Sequence, residues 1–379
     1  MIIGIDNISP GLSTSKQTIG GMRHFMEDLV QGLTQYAPQH KFKLFTPDNK
    51  DLVPVPRVEN LEIVKCSFVP TNQVGRVFYE QAVLPGLVRR HEVDVWLATA
   101  NHLPLLLTCP SVLFVQTLQV FSFPEGYPLG QRIYQKLFTP LSVRKSNLTL
   151  ALSQASKKEM IDKFKVSAEK IMLAYHFVSS YKDSTEENIW RGLKRKIGNK
   201  SYVLSVSSFY HYKNFYRLIR AFAKIAKDFP HYLVVAGSET KSVKIDDLKS
   251  EAKKLGIADR IIFLGRVPHQ EIAALYKNAD LMVMPSFSET FGCFVLEGMV
   301  LGCPVVTSNI SSMAEIGDEA VVKVDPYSVS SIAQGMRKVL SNPALARELK
   351  RKGFKRAAYF TQSKQLGVIV SALEKAYKK

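Results

Sequence analysis

The stretch Pro285 to Val306, PSFSETFGCFVLEGMVLGCPVV, decides how the chain is read. It follows an apolar strand, Leu281 to Met284, and passes through a polar, Gly-containing turn into an apolar helix, which Gly302 and Pro304 end before another strand. In parallel α/β sheets, ligands sit at the carboxyl ends of strands, where helix N-termini direct unpaired N–H groups at anions. Two carboxylates stand in the stretch, Glu289 in the turn and Glu297 inside CFVLEGMVLG. An unpaired carboxylate on a helix facing a core costs several kcal/mol, whereas each hydrogen bond to a charged group returns only about 1.5–3 kcal/mol, so Glu297 needs donors. Either a nearby Lys or a backbone cap supplies them, or the vicinal hydroxyls of a ribose do, as with the acidic residue of dinucleotide folds.

Working outward, the chain of 379 residues is long for one core, and two domains are expected. No apolar run reaches the ~18 residues that span a bilayer; the nearest, Leu103 to Val115, is broken by Pro104, Thr108, Pro110 and Ser111. The opening MIIGIDNISP reads directly as a strand, without the layout of a signal peptide. Cys66, Cys109, Cys293 and Cys303 have neither metal-ligand nor disulfide spacing. A cytoplasmic location follows as the expectation, peripheral on the inner face of the cell membrane if the charge acts there. That charge is +18, from 51 Lys and Arg against 33 Asp and Glu, and it asks for an anionic partner. An anionic membrane surface, at about 1 kcal/mol per basic residue, is favoured over plain solubilising charge. Nucleic acid is not expected, because zinc-finger spacing, RNP motifs and helix-turn-helix signals are absent from the sequence.

Strand and helix alternate along most of the chain. Met1 to Ile5 is followed by a polar loop and by Gly20 and Gly21, which open an amphipathic helix in an anion-binding arrangement. Strands follow at Lys43 to Thr46, Leu61 to Lys65, Asp94 to Ala98, Ser111 to Gln119 and Leu148 to Ser153. Helices are expected over Val77 to Arg90 and over Gln131 to Lys145, the latter mixing apolar and basic residues, suited either to a membrane surface or to packing on the first domain. From 177 to 200 sustained apolar periodicity fails, and an interdomain linker is expected. The alternation restarts at Ser201 to Val206, as a second nucleotide-binding half would.

Glu289, seven intervening residues and Glu297, preceded by ADLMVMPS and followed by GCPVV, resemble the E-x7-E signature of the retaining, nucleotide-sugar-dependent glycosyltransferases of family 4. The resemblance is strong over Asn214 to Thr361 and looser before Leu148. It implies an α/β fold of the GT-B class, two Rossmann-like domains facing across a cleft: an acceptor-binding domain over 1–176, a linker over 177–200, a donor-binding domain over 201–361, and a C-terminal helix, 362–379, crossing back to the first domain. It implies catalytic roles for Glu289, which orients the sugar, and for Lys213, directed at the donor diphosphate; Glu297 holds the ribose. Gly20 and Gly21 let the backbone approach the phosphates, the loop at Arg266 and Val267 meets the base, and the N–H groups of Thr290, Phe291, Gly292 and Cys293 face the diphosphate. YEQAVLP and DVWLATANHLP resemble the members that act on bacterial surface polysaccharides, so Asn101 and His102 either line the acceptor side or simply end a strand.

Two positions depart from the family. Where relatives carry a His-Asp pair this chain has Gln116 and Thr117, and where they carry an Arg it has Ser208. Gln116 can hydrogen-bond a sugar but cannot hold a proton or charge near neutral pH, so an imidazole role would fall to His102 or His24. The family's proposed route, with the leaving phosphate oxygen taking the acceptor's proton, lessens that need. The implied activity is a metal-independent hexosyltransferase without cofactor, taking mannose or a similar hexose from a GDP- or UDP-linked donor to a glycan or polyprenyl-linked acceptor. The alternatives are a catalytically impaired donor-binding subunit and, within the same architecture, an epimerase or a phosphorylase.

Overall fold

The computed structural model describes residues 1–8, 21–48, 56–67, 73–177 and 187–378. They form two compact units: one of Met1–Leu118, Leu129–His176 and Gln362–Lys379, the other of Gln119–Pro128 and Phe177–Thr361.

The first unit is built on seven parallel strands, β1 (Ile2–Asp6), β2 (Lys41–Pro47), β3 (Leu61–Cys66), β4 (Val95–Ala98), β5 (Ser111–Val115), β6 (Leu148–Ala151) and β7 (Ile171–Leu173), in the order β3-β2-β1-β4-β5-β6-β7. Every residue of β4, β5 and β6 is buried, as expected of strands covered on both faces. Trp96, Phe42, Phe45 and Phe114 fill the core. The Gly21–Tyr36 helix receives the Gln362–Tyr377 helix at Gly32, where a Cβ would lie 2.7 Å from Leu366 Cδ1, and Gln362 donates to the Asp28 carbonyl at 2.9 Å. The strand expected over Ser111 to Gln119 is shorter: β5 stops at Val115, and Gln119–Ser122, assigned to the second unit, is helical.

The second unit has six parallel strands, β8 (Tyr202–Val206), β9 (Tyr232–Ala236), β10 (Ile261–Gly265), β11 (Leu281–Met284), β12 (Val305–Ser308) and β13 (Val322–Val324), in the order β10-β9-β8-β11-β12-β13. Strand order reverses between β8 and β11, where Leu281 pairs with Val203. Such a switch point opens a crevice at the carboxyl ends of the strands. Part of the stretch expected as a linker differs: Glu187–Ile197 is a helix assigned to this unit, with Leu193 and Ile197 buried. Its apolar positions Ile189, Trp190, Leu193 and Ile197 do fall on one helical face, but among so many basic residues the pattern is easily overlooked. Among the described residues no helix is long and apolar enough to cross a membrane.

Candidate active site

The turn after β11 is held at several backbone groups. Thr307 donates to the Met284 carbonyl at 2.9 Å, Asn214 to that of Pro285 at 2.9 Å and Ser308 to that of Ser286 at 2.6 Å. The Phe287 N–H donates to the Tyr212 carbonyl at 2.7 Å. Ser311 and Ser312 both donate to the Glu289 carbonyl at 2.9 Å, and the Glu289 N–H donates back to Ser311 Oγ at 3.2 Å. The backbone of Glu289 is therefore held by both serines.

Its carboxylate meets Lys213 Nζ at 2.6 Å, with only 10% and 12% of the two side chains exposed. Lys213 sits in a short 3-10 turn, His211–Lys213, that ends at Asn214 in a left-handed conformation, φ +63°. Buried Asn214 pins that turn by donating to the carbonyls of both Pro285 and Pro326. The Lys213 ammonium also lies 5.4 Å from the ring centre of Tyr212 and 5.7 Å from that of Phe294. Burial, and then the charge of Glu289, holds the Tyr212 phenol well above its usual pKa, so it remains a neutral O–H.

Gly292 leads into the Cys293–Val300 helix with φ +90°, a conformation that side chains disfavour, and no side chain caps the helix. The first N–H groups of such a helix lack carbonyl partners within it and suit an anion. Glu297, in the second turn and half-buried, accepts from Tyr276 Oη at 3.0 Å. One donor to it is thus a phenol from the His269–Asn278 helix. Beside it, a Cβ on Gly298 would lie 2.4 Å from Val305 Cγ2, so this helix seats directly on β12.

Thr290 and Phe291 are buried, Thr290 donating to Gln119 Oε1 at 3.1 Å and Phe291 packing edge-on to Phe360. Cys293 and Ser208 are exposed, the latter just past β8. Arg266 and Val267 follow Gly265, whose φ is +65°, at the end of β10. Gly21 begins its helix, and Gly20 lies outside the described residues. Among the described residues no three His, Cys, Asp or Glu side chains gather as a metal site.

In the first unit, the two residues expected on the acceptor side, Asn101 and His102, both make contacts within the unit. Asn101 is buried with its amide spent on the backbone: Oδ1 accepts from the N–H groups of Gln116 and Thr117 at 2.8 and 3.1 Å, and Nδ2 donates to the Thr117 carbonyl at 2.6 Å. Because β4 and β5 are neighbours, an Asn after one is used to shape the loop after the other. His102 is 3.3 Å from Thr139 Oγ1 and its ring packs on Tyr134. Burial, and then the nearby Arg76 charge, pushes its pKa down to about 3, so it cannot serve as a cation near neutral pH. His24 lies 3.3 Å from Glu27. Gln116 donates to the Thr99 carbonyl at 3.2 Å, and its buried Oε1 has no hydrogen-bond partner among the described residues.

Four contributors escaped the sequence reading: Tyr276, Ser311, Ser312 and Gln119. Only the serines left a signal, the polar run TSNISS that begins within β12 and so lies at a carboxyl strand end.

Comparison with known proteins decides the family. Residues 19–180 match the family model described as Glycosyltransferase Family 4, and residues 186–356 match Glycosyl transferases group 1. The chain belongs to the family 4 glycosyltransferases. This family 4 member is 33% identical to an uncharacterized glycosyltransferase of Methanocaldococcus jannaschii over 53% of either chain, so the alignment spans about half the length of that relative. It is 22% identical to the O-antigen chain mannosyltransferase RfbU of Salmonella typhimurium, over 78% of this chain and 86% of RfbU. Among solved structures it resembles Anabaena HepE in complex with UDP-glucose, with a TM-score of 0.71 at 17% identity, over 99% of this chain and all of that one. The fold is of the GT-B class, with two Rossmann-like units in one chain.

Proposed function

We propose that the protein is a retaining, metal-independent hexosyltransferase that moves mannose or a similar hexose from a GDP- or UDP-linked donor to a glycan or polyprenyl-linked acceptor in cell-surface polysaccharide synthesis. It works against the anionic inner face of the cell membrane. The observation that carries the reading is the grouping, at the switch point of the second sheet, of Glu289 against Lys213 with Glu297 on the helix that the same turn enters. The O-antigen mannosyltransferase name of RfbU supports the hexose and the polysaccharide, and the UDP-glucose complex of HepE supports the kind of donor.

Glycosyl transfer builds positive charge on the sugar carbon and negative charge on the departing diphosphate. Lys213 has three N–H donors, so it can keep Glu289 while meeting a phosphate oxygen. Together with the first N–H groups of the Cys293–Val300 helix it opposes the growing charge, which supports a reaction without a divalent cation. Glu289 accepts hydrogen bonds from sugar hydroxyls and sets the sugar's orientation. Glu297, steadied by Tyr276, accepts from the ribose diol. The acceptor's proton passes to the leaving phosphate oxygen, so neither Gln116 nor His102 is asked to move one.

The test is a thermal-shift screen of nucleotide hexoses, since a ligand at 100 times its Kd stabilises by about 2.7 kcal/mol. One donor should stand out, and Glu297→Ala should weaken its binding strongly while leaving the unliganded melting point close to that of the wild type. Unchanged donor affinity in that variant overturns the assignment.

A further inference from the structure

The Leu129–Lys145 helix of the first unit is amphipathic the wrong way round for water. Its inward residues are Tyr134, Gln135, Thr139, Ser142 and Val143, four of them carrying polar groups: Ser142 Oγ accepts from the Leu103 N–H at 3.1 Å, and Tyr134 donates to buried Glu80 at 3.0 Å. Outward, Leu129, Ile133, Leu137 and Leu141 recur every fourth residue along the whole helix and are 66%, 59%, 54% and 37% exposed. A helix lying on a soluble core shows the opposite arrangement. Elements bonded to it carry more of the same. Val74 and Phe78 precede the π-helical turn that holds Glu80, and Leu106 lies in the loop that Gln81 grips by accepting from the Leu105 N–H at 2.9 Å; all three are more than 65% exposed.

Large exposed apolar surface marks an interaction site, and the charge around this one selects its occupant. Lys136, Arg144 and Lys145 are exposed on the same helix, and from Gly126 to Asn147 and from Leu97 to Leu118 the sequence contains no Asp or Glu. A second copy of the chain would bring basic residues against basic residues. An anionic bilayer instead takes the leucines among its acyl chains and the lysines at its phosphates.

We infer that the outward face of the Leu129–Lys145 helix, with Val74, Phe78 and Leu106 beside it, is the surface by which the first unit docks on an anionic lipid bilayer. The inference rests on the proposed work at a membrane and names the face responsible. The full chain should float with phosphatidylcholine vesicles containing phosphatidylglycerol and remain behind with phosphatidylcholine alone. Ile133→Glu with Leu137→Glu should abolish flotation, and Lys136→Ala with Lys145→Ala should weaken it roughly thirtyfold, from about 1 kcal/mol per basic residue. All four positions lie outside the donor site, so the thermal shift produced by a nucleotide hexose should be that of the wild type in both variants. The inference is overturned if the wild type stays behind with both vesicles, if it floats equally with both, or if the glutamate variant floats unchanged. It is also overturned if light scattering shows a wild-type dimer that the glutamate variant converts to monomer. A chain that floats but transfers no hexose fails the catalytic proposal alone, and one that transfers hexose to a soluble acceptor without floating fails this one alone.

Discussion

Lys213→Met removes the ammonium that stands 2.6 Å from Glu289 and keeps most of the side chain's bulk. Breaking a buried ion pair by deleting one partner costs about 3–5 kcal/mol, because the other charge is left without compensation. Some solvent still reaches both groups, 12% and 10% of each side chain, which places the loss near the lower end, about 3 kcal/mol. For a unit of this size that is a fall in melting temperature of roughly 6–12 °C. Lys213→Met with Glu289→Leu replaces the pair with apolar groups of similar volume, a change that is often neutral, so the double variant should recover most of that loss. Catalysis should not recover. Losing the proposed charged hydrogen bond to the diphosphate should cost about 1.5–3 kcal/mol, or roughly ten- to a hundredfold in kcat/KM, and the double variant also lacks the carboxylate proposed to orient the sugar. Calorimetry and donor turnover on the four proteins of the cycle separate the two roles. If the double variant transfers sugar at the wild-type rate, the pair is only structural; if Lys213→Met melts like the wild type, the burial argument is wrong.

Further outcomes follow from the same geometry. Tyr276→Phe takes a donor from Glu297 and should raise the donor Kd several-fold with little change in turnover of bound donor, read by titration and single-turnover kinetics; an unaltered Kd would mean the phenol does not orient the carboxylate. Ser311→Ala with Ser312→Ala strips both hydroxyls from the Glu289 carbonyl and should lower kcat about tenfold or more, with KM for the donor nearly constant. His102 and His176 have pKa values pushed down by burial to about 3 and about 4, Arg76 adding to the first, against about 6.5 in the unfolded chain. The unfolded chain therefore binds more protons below pH 6.5, and stability should fall as pH drops from there, by about 1.4 kcal/mol per pH unit for each ring. Urea titrations at pH 7.5, 6 and 5 check this, and a flat profile would contradict it.

The alternation of apolar strands with helices, and the placing of two carboxylates where a strand runs into a helix, are local patterns, so they can be read without coordinates. The side chains that position those carboxylates are not local. Tyr276 comes from a helix that ends before β11 begins, and nothing in its own neighbourhood marks it. Asn101 differs again, because an amide after a strand serves a ligand or a loop equally well, and its hydrogen bonds to the loop after β5 follow from the adjacency of β4 and β5, which only the sheet order reveals. The helix at Glu187–Ile197 is carried by few apolar residues among many charges, so a reading weighted by composition passes over it.

The polypeptide passes between the two units four times, after Leu118, Pro128, His176 and Thr361. This interleaving bears on the order in which the protein is made. A ribosome makes the second unit's segments before it makes Gln362–Tyr377, the helix whose Gln362 and Leu366 cover Gly32 in the first unit. The first unit's earlier segments must therefore wait, without the cover at Gly32, until Gln362–Tyr377 emerges. A second unit produced alone from Phe177 would in turn lack Gln119 and leave the Thr290 hydroxyl without its buried acceptor.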